Sequence, residues 1–94
     1  MSKVIEGAVA ALSEKAKGFD GTAKFVIEGE GSVYIDENGA RAGDDEAEVT
    51  LTANRETFEG ILSGDVNPTT AFMTGKLKVD GSMGTAMKLG ALLS

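Results

Sequence analysis

Residues 22–53 read TAKFVIEGEGSVYIDENGARAGDDEAEVTLTA, and the alternation in this stretch decides the fold. Ala23, Phe25 and Ile27 fall on one side of an extended chain, while Lys24 and Glu28 fall on the other. Gly29-Glu30-Gly31 turns the chain into a second strand with Val33 and Ile35 facing in. Asn38-Gly39 is a hairpin signal, because both residues tolerate the positive φ of a type I′ turn. A third strand is expected over about 40–43, then a loop at Gly43-Asp44-Asp45. Beyond it Ala47, Val49, Leu51 and Ala53 alternate with Glu48, Thr50 and Thr52. The expectation is an antiparallel sheet of about four strands whose single buried face needs a cover.

The flanks supply that cover. Residues 2–17 place Val4, Ile5, Ala8, Val9, Leu12 and Ala16 at helical spacing, with Gly18 as the stop. Downstream, Asn54 reads as the N-cap of a helix burying Phe58, Ile61 and Leu62, ended by Gly64-Asp65. Asn67-Pro68 starts a short helix with proline in its first turn, carrying Ala71, Phe72 and Met73. Residues 76–80 form a brief strand with Leu77 and Val79 on one face and Lys76, Lys78 and Asp80 on the other. Ser82 caps a last helix over about 83–93. The order is helix, strands, two helices, strand, helix: an α+β layer design.

Ninety-four residues allow one domain, spanning 1–94. Leu, Ile, Val and Phe together number 22, so most apolar side chains are needed simply to build a core. The absence of cysteine removes disulfides, thiolate nucleophiles and thiolate metal sites. The absence of histidine removes the usual neutral-pH base and the commonest transition-metal ligand. No catalytic residue, metal site or cofactor site is expected, and the chain does not read as an enzyme. A formal charge of −6 argues against nucleic acid as a partner. No apolar run reaches the roughly 18 residues of a membrane span. The first twelve residues read as helix rather than signal peptide, and a cytoplasmic location is the expectation.

The last helix is anomalous. From 83 to 93 its one charged side chain is Lys88, while Met83, Ala86, Met87, Leu89, Leu92 and Leu93 occupy most of its circumference. Gly84 and Gly90 each weaken it by about 1 kcal/mol relative to alanine. Either the apolar excess is ordinary packing, or the helix is the loose wall of an apolar cavity; periodicity does not separate these readings. Other signals are weak. Asp36-Glu37-Asn38-Gly39 is a turn rather than a calcium loop, since Ala40 stands where a further ligand belongs. Asp44-Asp45-Glu46 with Glu48 reads as a solvated acidic loop, and Gly81-Ser82-Met83-Gly84 as a turn and cap rather than a phosphate cradle. Lys76 and Lys78 read as a solvated strand face, with a lipid headgroup contact as the sharper alternative.

Residues 67–81, NPTTAFMTGKLKVDG, continue into Ala86-Met87-Lys88-Leu89 and resemble the signature of the sterol carrier protein-2 family. Gly31-Ser32-Val33-Tyr34-Ile35-Asp36, Asn38-Gly39 and Val49-Thr50-Leu51-Thr52 are similar to that family's strands, so the resemblance covers about residues 4–93. It implies a roughly five-stranded, mainly antiparallel sheet covered by helices, with an apolar cavity between the two. It implies non-catalytic binding and transfer of fatty acids, fatty acyl-CoA, and sterol- or isoprenoid-like lipids. Phe58, Ile61, Leu62, Phe72, Leu77, Val79, Met83, Met87 and Leu92 are the expected cavity wall, from facing and family position. The alternative use is an accessory scaffold that presents lipid, for example isoprenoid quinone intermediates, to partner enzymes. The chain ends Leu92-Leu93-Ser94 without a peroxisomal Ser-Lys-Leu-like tail, which favours a free-standing bacterial-type member. Val33 stands where relatives often carry tryptophan. The acidic balance predicts at most transient membrane contact, and the expected state is a monomer or weak dimer.

Overall fold

The computed structural model describes residues 3–93; Ser2, the first residue of the expected N-terminal helix, and the Ser94 tail lie outside them. The elements are α1 (Lys3–Lys15), β1 (Ala23–Ile27), β2 (Gly31–Asp36), β3 (Gly39–Ala42), β4 (Val49–Ala53), α2 (Arg55–Ser63), α3 (Pro68–Met73), β5 (Leu77–Gly81) and α4 (Met83–Leu93). The five strands form one open sheet in the order β3-β2-β1-β4-β5.

The sheet is mixed. β1–β2, β2–β3 and β4–β5 pair antiparallel, whereas β1 and β4 run parallel, with Phe25 opposite Leu51. The sheet is five-stranded and mainly antiparallel, as the resemblance implies; its one parallel pair corrects the wholly antiparallel reading of residues 22–53. Residues 43–48 carry the chain back past β2 and β1, so β4 arrives on the far side of β1. They do so across the outer face: Lys24 bonds Asp44 at 2.9 Å, and Arg41 pairs with Asp36 at 3.1 Å and Asp45 at 3.0 Å while stacking 4.4 Å over Tyr34. The hydrogen bond that Arg41 donates to Asp45 raises its pKa above the ordinary value, burial opposes this, and the bond it donates to Asp36 adds to the rise. Asp44 and Asp45 stay 81% and 67% exposed, so the acidic loop is solvated as expected, with two of its carboxylates in surface ion pairs.

The hairpin signal also sits one residue away from its expected place. Gly39 pairs with Asp36, so Glu37 and Asn38 form the corner. No residue other than glycine has a positive φ, among those described, so Asn38 does not take the type I′ geometry. Instead the Asp36 carboxylate accepts the Asn38 N–H at 2.9 Å, an Asx turn, and Gly39 absorbs the positive φ at 121°. β4 begins at Val49 rather than 47, and α1 ends at Lys15 rather than 17.

The caps behave as local chemistry dictates. The Asn54 side chain accepts from Thr57 N–H at 2.7 Å, and the Asn67 side chain accepts from Thr69 and Thr70 N–H at 2.9 and 3.2 Å. Ser82 Oγ accepts from Thr85 N–H at 3.2 Å at the head of α4. Each cap is worth about 1 kcal/mol.

One sheet face is buried. Ala23, Phe25, Ile27, Val33, Ile35, Val49, Leu51, Ala53 and Leu77 point into it from the strands, and all four helices close over it. Phe25 and Phe58 meet edge to face at 4.5 Å, worth about 0.5–1.5 kcal/mol beyond their burial. Phe19, which no period marked, is buried in the turn after α1.

Candidate ligand cavity

The helical cover divides in two. α1 lies over β2 and β3, and its Ile5, Ala8 and Leu12 are buried. α4 lies over β1, β4 and β5, flanked by α3, and here the packing leaves a cavity of about 530 Å³. That volume lies within the usual range of small-molecule sites, about 300–1,000 Å³.

The floor is Phe25 of β1 and Leu51 of β4, side by side in the parallel register, continued by Leu77 and Val79 of β5. Ile61 closes it from α2, Pro68, Thr69, Phe72 and Met73 from α3, and Met83, Ala86, Met87, Leu89 and Leu93 from α4. Thr69 supplies the one polar side chain of this wall, and no charged side chain lines it. Its side chains grade from fully buried Leu89 to Met87 and Met73, which are 73% and 78% exposed, so the cavity opens at the surface between α3 and α4.

Six of the nine expected wall residues stand in this wall: Ile61, Phe72, Leu77, Val79, Met83 and Met87. The other three stand elsewhere. Phe58 turns into the core, edge to face on Phe25, and is not part of this wall. Leu62 is half-buried on the outside of that core. Leu92 lies roughly 140° round α4 from Met87, on the far flank of the helix. Sequence reasoning missed Phe25 and Leu51 as floor residues. Their alternation marks them as inward-facing, but only the β1–β4–β5 order brings them beneath α4.

α4 is held at its head by one residue. Glu48 N–H donates to Thr22 Oγ1 at 2.9 Å, and its carboxylate accepts from Thr22 N–H at 3.2 Å and from Thr85 Oγ1 at 3.5 Å. Its carbonyl accepts from Ser82 N–H at 2.9 Å. Gly81 passes so close that a Cβ there would strike that carbonyl, and its φ of 111° suits glycine alone. Further along, the exposed Lys88–Asp20 contact at 4.0 Å adds little. This arrangement can enclose an apolar body and offers no group for acid–base or nucleophilic chemistry in its wall. Among the described residues no group of three or more carboxylates could hold a metal ion, and no helix is long and apolar enough to cross a membrane.

Comparison with known proteins gives one consistent picture. The profile of the SCP-2 sterol transfer family matches residues 3–94. The chain is 43% identical over 65 residues to peroxisomal multifunctional enzyme A of Dictyostelium discoideum, covering 69% of this chain and 14% of that protein. It is 34% identical to hydroxysteroid dehydrogenase-like protein 2 of Xenopus tropicalis, covering 97% of this chain and 23% of that protein. The chain therefore spans less than a quarter of the length of either relative. Among solved structures, sterol carrier protein domain 2 of Helicoverpa armigera superposes with a TM-score of 0.76 at 28% identity, covering 96% of this chain and 85% of that one. Sterol carrier protein-2 of Aedes aegypti, solved in complex with palmitate, superposes with a TM-score of 0.79 at 21% identity over 100% of this chain and 97% of that one.

Proposed function

The chain belongs to the SCP-2 sterol transfer family, and on that premise we propose that it binds and transfers apolar ligands without altering them. The proposed ligands are fatty acids, fatty acyl-CoA, and sterol- or isoprenoid-like lipids. The observation that carries the reading is the 530 Å³ cavity with an uncharged wall and Thr69 as its one polar side chain. Each methylene that leaves water for such a wall contributes about 0.8 kcal/mol. A force without direction selects by length and bulk rather than by hydrogen-bond pattern, so broad specificity follows. Ile61, Phe72, Leu77, Val79, Met83 and Met87 would touch the acyl chain over a floor of Phe25 and Leu51. Phe58 and Leu62 support these residues from behind, whereas Leu92 lies on the exposed far flank of α4. With no charge inside, a carboxylate or larger headgroup stays at the mouth.

The test is titration of the chain with palmitate, followed by native mass spectrometry of the gently purified protein. One lipid bound per chain is the expected result. A protein that arrives empty and takes up neither palmitate nor a fluorescent fatty acid overturns the reading.

One observation favours a second use of the same cavity. The relatives are long proteins of which this chain matches a fraction, so the fold serves elsewhere as a module. The chain would then present lipid, such as an isoprenoid quinone intermediate, to a partner enzyme; co-purification with one enzyme and one dominant lipid would distinguish this from a general carrier. Cytoplasmic residence and a monomeric or weakly dimeric state complete the proposal, and cell fractionation and sedimentation test them.

A further inference from the structure

Sulfur in this chain is confined to four methionines, Met1, Met73, Met83 and Met87, since cysteine is absent. Three of the four, all but Met1, stand in the cavity wall, one on α3 and two on α4. None of the three is sealed in the core: Met73 and Met87 are largely exposed, and Met83 is about half exposed. Leucine covers the same apolar area, and α4 uses Leu89 and Leu93 where it is buried. What methionine adds at the mouth is a thioether, the one group of this wall that a peroxide oxidises. With no cysteine, tryptophan or histidine in the chain, no thiol, indole or imidazole competes for the oxidant. The remaining wall offers no charged side chain and Thr69 alone as a polar one, so it holds little to receive a new dipole.

We propose that Met73, Met83 and Met87 form a modification site: their oxidation by hydrogen peroxide lowers the affinity of the cavity for apolar ligands, and reduction restores it. The inference rests on the ligand-binding reading. At each residue the Sδ lone pair attacks one peroxide oxygen and the O–O bond breaks. The hydroxide that leaves takes the proton of the transferred oxygen and departs as water. Sulfur gives two electrons to the peroxide, and a flexible apolar side chain becomes a polar, chiral sulfoxide. A sulfoxide oxygen that stays in the wall is covered by the ligand without a hydrogen bond, which is costly. One that turns to water draws its side chain off the ligand. Both outcomes remove apolar contact at the mouth, while the floor of Phe25 and Leu51 is buried and carries no sulfur. Enzymatic reduction of the sulfoxide consumes two thiols, which leave as a disulfide with one water.

The test treats the full chain with hydrogen peroxide until peptide mass spectrometry finds Met73, Met83 and Met87 each one oxygen heavier, then titrates palmitate. The expected affinity is lower by about tenfold or more, with the melting temperature held within a few degrees. Methionine sulfoxide reductases for both epimers, with dithiothreitol, should restore it. Palmitate bound beforehand should slow oxidation at Met83 and Met87. A chain carrying Met73→Leu, Met83→Leu and Met87→Leu, whatever affinity it starts from, should show no change after peroxide. An oxidised chain that binds palmitate as the untreated chain does, a loss shared by the triple variant, or a loss that tracks unfolding overturns the proposal. If the triple variant does not fold, recovery with the reductases decides, and no recovery counts against the proposal. An untreated chain that binds no palmitate strikes the ligand-binding reading and this inference with it, whereas binding that peroxide leaves unchanged strikes this inference alone.

Discussion

The two helices that cover the sheet from opposite ends make an instructive pair. α1 meets β2 and β3 through Ile5, Ala8 and Leu12, with Leu12 fully enclosed. Ala8 and Leu12 are 2% and 0% exposed, and none of the three side chains lines the cavity. α4 meets the same sheet face through Leu89 and Leu93, but Met83 and Met87 reach over open volume. One half of the face is thus core and the other is container. Mean apolarity does not separate them, since the hollow half has the more apolar helix. The difference lies in where side chains end, not in how many are apolar.

That contrast can be broken by substitution. The largest expected effect is Leu12→Ala, which removes a fully buried side chain from the solid half and should cost about 2–5 kcal/mol in denaturant unfolding. Met87→Ala, in a largely exposed wall position, should change stability by less than about 0.5 kcal/mol but weaken palmitate binding. A comparable loss of stability at both sites would erase the distinction between the halves.

A sharper comparison adds volume. Ala8→Leu should overpack the α1 interface and cost about 1–3 kcal/mol. Ala86→Leu projects the same extra atoms toward the cavity, so the melting temperature should hold or rise while fatty-acid affinity falls. Ligand affinity that is indifferent to Ala86→Leu would show that the lipid lies elsewhere.

The smallest effect concerns α4 alone. Amide exchange should be faster in α4 than in α1, because Gly84 and Gly90 weaken the helix and Glu48 anchors only its head. Glu48→Ala should speed ligand exchange measured by stopped flow, with a melting shift of only a few degrees. Equal exchange rates in α1 and α4 would remove the basis for calling α4 the mobile wall.

Much of this was legible in the residues. Asn54, Asn67 and Ser82 announce the helix starts because a cap is made within three residues of itself. Ala23, Phe25 and Ile27 announce a buried strand face because the period of two is a property of the extended chain. The α4 anomaly stood out as a helix with Lys88 as its single charge. The wall was less legible. Phe58 and Leu62 share a helix with Ile61, and their apolar character does not say which meets a ligand and which meets Phe25. Leu92 carries the same side chain as Leu93, yet one is exposed and the other buried, since one residue turns the helix by about 100°.

By itself, then, the sequence determined the element order, the caps, the one-sided sheet and the absence of thiol and imidazole chemistry. Each of these follows from residue types or from neighbours within a turn or two. The tertiary structure alone decided that β4 lies parallel to β1. It alone decided that Phe25 and Leu51 floor a cavity beneath α4. Those outcomes depend on where residues 43–48 carry the chain, contacted by Lys24 and Arg41 from other strands. No local period encodes a contact made across the sheet.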